Sequence, residues 1–478
     1  MRLFLLIVLS LLFWDATAAP RLIAPAPLVP GFAPAIRMEG LGKDDRVRVW
    51  TVRHFTRWQE VEGKWVEVPV ALYAWADFAP VGGRVDTQTM ASLAGTYRGI
   101  DPYGVFWSGR TRDDPLIANA KPPVAEKVAG AAAQIVAVVD GQEMGRASMA
   151  RREPQGLRVA TMQQGGIAGV YAAPADGRRH PVMLLLHGSE GGNADGAREL
   201  AMRYAAQGYA AFAVMYFAFD LAKVEGVSYQ HINTPIELLA VARDWVAGQP
   251  EADATRLGVY GHSKGAEFAE VAAVRYPWIR AVVACVPTDV VWEGYGHNDE
   301  RNRPEHRGPA PAEVSSWSWQ GKPLPYVKLR PFNWREPSQY FNNTERYERS
   351  RQDDPKRAAD AVIAIEESRA RFLLLGGEKD EVWASGTMAR ALAKRFEKLP
   401  ATRRPEVHVF EGAGHGICGD GTYPPRVHET TTPDPRSKDL DKEGAAAARA
   451  WELTVDFLRR SLGGRPAPPV QTTPAPSP

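Results

Sequence analysis

The sequence predicts a doubly wound, mostly parallel α/β sheet that follows a small antiparallel β-sandwich. The pattern changes near Pro154. Before it, short strands alternate polar and apolar residues between turns such as Gly82-Gly83. After it, continuous apolar runs alternate with helices, which is typical of parallel strands that are buried on both faces.

Length and composition limit the functions that the chain can have. Its 478 residues suffice for two or three domains, and 45% hydrophobic with 24% charged residues is typical of a globular protein. The 58 Lys and Arg residues nearly balance the 56 Asp and Glu residues, and a net charge of +2 argues against nucleic acid as a partner. Cys285 and Cys418 are too few for a disulfide scaffold, and whether they pair is left open. The sequence contains no C-x-x-C motif that would predict a metal site, and we expect no cofactor.

The first residues are typical of an export signal. Arg2 precedes a run at 3–14 that is apolar except for Ser10, and a small-x-small site follows at 16–18. The alternative is a membrane anchor, but this run is shorter than the roughly 20 residues that a spanning helix needs. We therefore expect cleavage of residues 1–18, no membrane-spanning segment in the mature chain, and export to the periplasm or the medium.

Differences in composition also mark a leader, a tail and a first domain. Residues 19–36 form a leader rich in Pro and Ala, and 463–478 form a Pro-rich tail that we predict to be disordered. Residues 37–152 form the predicted β-sandwich. Its clearest strand-like runs lie at 47–52, 65–75 and 133–139.

Residues 153–462 form the predicted α/β domain. A helix is expected at 195–207, and a capping box with Pro235 at the first helical position predicts another that opens at Thr234. Between 287 and 360 the alternation stops, and the many aromatic residues predict a lid or a pocket wall. The buried strands are predicted at 182–186, 209–216, 257–260, 281–286, 372–375 and 407–410.

Ser263 is the candidate nucleophile. It is the central residue of a G-x-S-x-G motif, Gly261 to Gly265, which lies directly between a predicted strand and a predicted helix. A sharp strand-to-helix turn needs small flanking residues and raises the serine hydroxyl above the sheet. The alternative is a chance Gly-Ser turn, but the strand and helix on either side favour a nucleophile.

A serine nucleophile needs a base and an acid that orients the base. Asp380 follows the strand at 372–375, and His415 follows the strand at 407–410, so both lie where these groups are expected. The chain order Ser, acid, His is also the expected one. Rival carboxylates remain, namely Glu378, Glu381, Asp353 and Asp354.

Two backbone N–H groups are the candidate oxyanion donors. Lys264 follows the nucleophile, and Ser189 lies in the glycine-rich loop 187–192 after the strand at 182–186. The alternative for this loop is a phosphate-binding site, but its glycine spacing matches neither common phosphate motif.

These motifs resemble the family of acyl-CoA thioesterases and bile acid-CoA:amino acid N-acyltransferase. The similar segments are the N-terminal stretch 95–108, the nucleophile turn 261–267, and the acid and base segments 380–383 and 412–415. The resemblance spans nearly the whole mature chain. It implies an α/β-hydrolase domain behind an immunoglobulin-like domain.

For the site, the resemblance implies a triad of Ser263, Asp380 and His415. The amino-acid-conjugating members use Cys where this chain has Ser263, which favours water as the acyl acceptor. We therefore expect a serine hydrolase that cleaves an acyl-CoA-like thioester through a covalent acyl-enzyme. Because acyl-CoA is intracellular, the export signal keeps an exported carboxylester hydrolase as an alternative. Acyl transfer to an amine and a non-catalytic ligand-binding protein are the others.

Overall fold

The computed structural model describes eight stretches of the chain, which are residues 19–23, 27–61, 64–127, 130–218, 226–296, 314–331, 343–428 and 438–465. The predicted signal at 1–18 lies outside the described residues, as does most of the predicted tail. The insertion 287–360 is described except for 297–313 and 332–342.

The N-terminal region contains two antiparallel sheets. The smaller has the order β1-β2-β5, and the larger has the order β6-β4-β3-β7-β8. Met38 and Val85 of the smaller sheet share one core with Val49 and Ile135 of the larger. The immunoglobulin-like assignment of 37–152 stays a prediction. The strands are β1 (Arg21–Ile23), β2 (Arg37–Glu39), β3 (Val47–Val61), β4 (Lys64–Phe78), β5 (Arg84–Asp86), β6 (Ala94–Gly95), β7 (Ala131–Val139) and β8 (Gln142–Ala150).

The region after the two N-terminal sheets contains a larger sheet, which has eight strands in the described part of the chain. Its order is β19-β18-β15-β14-β11-β12-β10-β9. All pairings from β19 to β12 are parallel, whereas β10 pairs antiparallel with both of its neighbours. The predicted mostly parallel α/β-hydrolase sheet is therefore confirmed. Its strands are β9 (Leu157–Gln164), β10 (Ile167–Pro174), β11 (His180–Leu186), β12 (Ala210–Met215), β14 (Ala252–His262), β15 (Ile279–Cys285), β18 (Arg371–Gly377) and β19 (Glu406–Phe410).

Helices cover both faces of this sheet. Tyr204 and Phe457 lie in the core on one face, and Leu239 and Phe268 lie in the core on the other. In the described residues no helix is long and apolar enough to cross a membrane. The helices are α1 (Gly104–Trp107), α2 (Pro115–Ala118), α3 (Ala194–Ala206), α4 (Leu238–Ala247), α5 (Lys264–Arg275), α6 (Thr344–Asp353), α7 (Pro355–Asp360), α8 (Ser385–Lys394) and α9 (Leu440–Leu462).

The helix predicted to open at Thr234 begins four residues later. Thr234 and Pro235 instead form a short strand, β13 (Thr234–Pro235), beside β16 (Trp317–Trp319), which also pairs with β17 (Lys322–Pro323). The Thr234 N–H donates to the Ser316 carbonyl oxygen at 2.9 Å. A tertiary partner from the insertion thus satisfies the backbone that the capping box would have placed in a helix.

The N-terminal region packs on the segment that follows His415 and on α9. The buried Arg53 guanidinium donates to the Phe106 carbonyl oxygen at 3.2 Å and to the Thr422 carbonyl oxygen. On α9, a Cβ on Gly444 would lie 2.5 Å from the Trp107 ring, so only glycine permits this close approach.

Candidate active site

Ser263 forms a sharp turn between a buried strand and a buried helix. Strand β14 ends at His262 and α5 begins at Lys264. Ser263 has φ 55° and ψ −123°, and such backbone conformations cost about 1–3 kcal/mol and cluster at functional sites. The Ser263 N–H donates to the Cys285 carbonyl oxygen at 3.0 Å. The turn is therefore bonded to the neighbouring strand β15.

The two glycines of the motif are required by close backbone contacts. A Cβ on Gly261 would lie 2.0 Å from the Gly265 carbonyl oxygen. A Cβ on Gly265 would lie 2.5 Å from the carbonyl oxygens of Leu186 and His187. Both distances are far below van der Waals contact, so the motif has a direct steric cause. The second contact also places the loop after β11 against the nucleophile turn.

Asp380 and His415 are in direct contact. His415 Nδ1 lies 2.8 Å from Asp380 Oδ2 and 2.9 Å from Oδ1. The Asp380 side chain is fully buried, and that of His415 is 18% exposed. Burial alone lowers the pKa of His415, but the charge and hydrogen bond of Asp380, together with the charge of Glu381, outweigh burial, so this pKa lies above its usual value. The pair has the geometry of a base and its orienting acid.

Three further groups orient the Asp380 carboxylate. The N–H groups of Val382 and Trp383 donate to Oδ1 at 2.9 and 3.2 Å. The Ser385 hydroxyl donates to Oδ2, and its oxygen accepts from the Gly377 N–H at 3.1 Å. Sequence reasoning missed Ser385 because a serine five positions after the acid belongs to no motif. Ser385 starts α8, and only the fold of this loop brings it to Asp380.

The rival carboxylates have other partners. Glu378 Oε2 accepts from the Gly412 N–H at 3.0 Å, and Glu381 Oε2 accepts from the His415 N–H at 3.1 Å. These two side chains therefore hold the backbone of the His415 loop rather than the imidazole ring. Asp353 accepts from the Arg330 guanidinium, and Asp354 accepts from the backbone N–H of Arg357 in α7.

Ser263 lies at the same edge of the sheet as the acid–base pair. The parallel strands β14, β18 and β19 precede Ser263, Asp380 and His415 respectively, and their carboxyl ends meet at this edge. Trp383 packs edge-on against the His415 ring at 5.7 Å between centroids, and its indole N–H donates to the Val286 carbonyl oxygen at 3.2 Å. Among the described residues no hydrogen bond joins Ser263 Oγ to His415. Such bonds often form only when substrate is bound.

The two predicted oxyanion donors flank the nucleophile turn. Lys264 opens α5, and the first N–H groups of a helix have no partner within it. Ser189 lies in the loop 187–192 after β11, the strand that pairs with β14. The position of each residue fits the predicted role, and the role itself stays a prediction.

The side chain of Lys264 connects the insertion to α5, the helix that follows Ser263. Its ammonium lies 2.7 Å from Glu267 Oε2 and 2.7 Å from Ser316 Oγ, and the pair is almost fully buried. Glu267 Oε1 also accepts from the Trp292 N–H at 3.0 Å and the Trp317 indole N–H at 2.9 Å. These two insertion tryptophans are therefore anchored against α5. Four other insertion aromatics, at 332, 334, 340 and 341, lie outside the described residues.

Cys285 and Cys418 form a disulfide, which answers the question left open by the sequence. Beside it, a cavity of about 270 Å³ lies between α3 and the sheet. The side chains at this cavity include His187, Glu190, Arg203, Tyr260, His262 and Cys418. In the part of the chain that the structure describes, no group of three or more His, Cys, Asp or Glu residues could hold a metal ion.

The chain is similar to known proteins in its sequence. Residues 234–464 match the model of the BAAT / Acyl-CoA thioester hydrolase C-terminal family. The chain is 23% identical over 405 residues to rat mitochondrial acyl-coenzyme A thioesterase 2, covering 81% of this chain and 79% of that protein. It is 23% identical over 396 residues to mouse acyl-coenzyme A amino acid N-acyltransferase 2, covering 80% and 85%.

The chain is also similar to solved structures. A carboxyl esterase 2 from Tuber melanosporum aligns with a TM-score of 0.40 and 16% identity, covering 64% of this chain and 87% of that one. The resemblance inferred from the motifs is confirmed: residues 234–464 match the C-terminal model of this family, and 81% of the chain aligns with an acyl-coenzyme A thioesterase.

Proposed function

We propose that this hydrolase cleaves an acyl thioester of the acyl-CoA type through a Ser263–His415–Asp380 triad. The observation that carries the proposal is the Asp380–His415 pair, bonded at 2.8 Å, at the sheet edge where the strained Ser263 turn lies. The family relatives named as acyl-coenzyme A thioesterases support the substrate class.

The mechanism follows from which imidazole nitrogen of His415 faces Asp380. His415 Nδ1 faces Asp380, so Nε2 is the nitrogen that takes the proton from Ser263 Oγ as the oxygen attacks the acyl carbonyl. The N–H groups of Lys264 and Ser189 stabilise the oxyanion. His415 then returns the proton to the leaving thiolate, and a water molecule, activated by the same base, releases the acid from Ser263.

The first experiment compares wild type with Ser263→Ala. We expect the variant to lose turnover by several orders of magnitude, because removal of the nucleophile leaves only binding and oxyanion stabilisation. The matched control is Ser189→Ala, which keeps the backbone N–H and should retain most activity. Wild-type turnover in Ser263→Ala would refute the proposal.

The second candidate is an exported carboxylester hydrolase. It is favoured by the predicted signal at 1–18 and by the Cys285–Cys418 bond, since disulfides persist in oxidising compartments. Relative kcat/KM values for acyl-CoA, other acyl thioesters and p-nitrophenyl esters distinguish the two. A preference for oxygen esters above tenfold would favour the second candidate.

The acyl acceptor and the cellular location of the protein need separate measurements. Formation of an amide when an amine is added would favour acyl transfer over hydrolysis. No labelling by a fluorophosphonate and no turnover of any substrate would favour a ligand-binding protein. We propose export as the location, and the N-terminal sequence of the protein recovered from fractionated cells tests it.

A further inference from the structure

The disulfide joins the strand beside the nucleophile to the loop of the predicted base. Cys285 is the last residue of β15, and Cys418 lies three positions after His415. The two cysteines are 133 positions apart in sequence. The bond therefore connects two segments of the site that share no nearby covalent link.

Cys285 also holds the nucleophile turn directly. In the β14–β15 register it stands opposite His262, and its carbonyl oxygen accepts from the Ser263 N–H at 3.0 Å. One residue is thus hydrogen-bonded to the candidate nucleophile and covalently bonded to the loop of the candidate base. Cys285 is 1% exposed, so its surroundings give it little freedom to move.

The hydrogen bond between β14 and the loop after His415 is weaker than the contacts that His415 itself makes. The Cys418 carbonyl oxygen accepts from the Tyr260 hydroxyl at 3.5 Å, which is a long hydrogen bond. The strong contacts at His415 itself run to Asp380 and Glu381, which lie after β18 rather than beside Ser263. The disulfide is therefore a short covalent path from the His415 loop to β15, whose last residue is hydrogen-bonded to Ser263.

We propose that the Cys285–Cys418 disulfide is a positioning crosslink that keeps His415 within reach of Ser263, so that turnover depends on the oxidised state. This inference rests on the proposed function. Proton transfer between hydroxyl and imidazole needs the two atoms within hydrogen-bond reach, and a displacement of about 1 Å can cost a hundredfold in rate.

Reduction would remove the crosslink by ordinary thiol–disulfide exchange. A dithiol reductant gives two electrons and two protons to the S–S bond, which yields two cysteine thiols and the disulfide of the reductant. Cys418 is only partly buried and lines the cavity of about 270 Å³ beside α3, which gives a small dithiol an approach to its sulfur.

The test compares four forms of the full-length protein below their melting temperatures. They are the oxidised wild type, the wild type reduced with dithiothreitol until two thiols titrate, Cys285→Ala/Cys418→Ala, and Ile417→Val. Ile417 is buried in the same loop and loses only a methylene group, so this variant controls for altered packing. Reoxidation of the reduced wild type controls for irreversible damage.

We expect reduction and the double substitution each to lower kcat by about tenfold or more, with KM within about twofold. Fluorophosphonate labelling of Ser263 should slow in parallel, reoxidation should restore kcat, and dithiothreitol should not affect the double variant. If the double variant does not fold, the reduced wild type gives the answer.

An unchanged kcat in the reduced wild type or in the folded double variant would overturn the inference. A lower melting temperature with unchanged kcat would assign the bond a purely structural role and would also overturn it. Failure of the proposed function itself is distinguishable, because then Ser263→Ala would keep its turnover.

Discussion

His415 Nδ1 lies 2.8 Å from the Asp380 carboxylate, although 35 positions separate the two residues in sequence. The carboxylate is fully buried and receives two backbone N–H groups and a serine hydroxyl in addition to the imidazole. These contacts fix the ring with one nitrogen toward the acid. The other nitrogen is the one that the proposed mechanism uses at the sheet edge where Ser263 lies.

Asp380→Asn tests this orientation. Asparagine preserves the shape but removes the charge that stabilises the imidazolium, so we expect kcat to fall by about 10⁴-fold, with a small change in KM. Steady-state kinetics on an acyl-CoA measure the loss. Glu381→Gln is the matched control, since Glu381 contacts the His415 backbone and not its ring. An equal loss in both variants would contradict the assignment of Asp380 as the acid.

The pH dependence of kcat/KM should report the same contact. A general base acts when neutral, and Asp380 raises the pKa of His415, so activity should rise with pH through a midpoint above the ordinary imidazole value of about 6.5. In Asp380→Asn the midpoint should move to lower pH, because burial then acts on His415 without the largest of the effects that oppose it, and only the smaller effect of Glu381 remains. A midpoint that does not move on substitution would argue against the pairing.

Ser385→Ala should disturb the orientation of the Asp380 carboxylate while leaving that carboxylate in place. The substitution deletes the hydrogen bond to Asp380 Oδ2 and leaves the Gly377 N–H without its partner. We expect kcat to fall by about tenfold with KM unchanged, since hydrogen bonds to charged groups contribute about 1.5–3 kcal/mol. Ser385→Thr retains the hydroxyl and should recover part of the loss. A wild-type kcat in the alanine variant would show that the other donors suffice.

Breaking the buried Lys264–Glu267 pair should destabilise the protein far more than breaking a more exposed pair of the same spacing. Glu267→Gln leaves the Lys264 ammonium without its counter-charge, and such changes cost about 3–5 kcal/mol in the free energy of unfolding. Glu143→Gln breaks the partly exposed pair with Arg146, also three positions apart, and should cost less than about 1 kcal/mol. Denaturant unfolding measures both losses. Equal losses would contradict the role given to burial.

The sequence was most informative where a local pattern has a single structural cause. The continuous apolar run at 182–186 lies within β11, and the helix predicted at 195–207 corresponds to α3. The G-x-S-x-G motif has one cause, the steric contact of its glycines, and it occupies the strand-to-helix turn. Asp380 and His415 each follow a strand of the sheet, and the structure brings them together.

The remaining features depend on contacts between distant parts of the chain. The capping box at Thr234 was outweighed by pairing with β16, more than 80 positions later. Ser385 reaches Asp380 only through the fold of its loop, and Glu267 meets Trp292 and Trp317 only because the insertion folds onto α5. Local sequence carries no signal for such pairings.

The most direct test of the central claim is the mass of the acyl-enzyme. Wild type mixed with an acyl-CoA and quenched in acid during turnover should carry one acyl group, which peptide mapping should place on Ser263. Ser263→Ala should carry none under the same conditions. Turnover with no adduct on Ser263, or an adduct on another residue that persists in Ser263→Ala, would contradict the account.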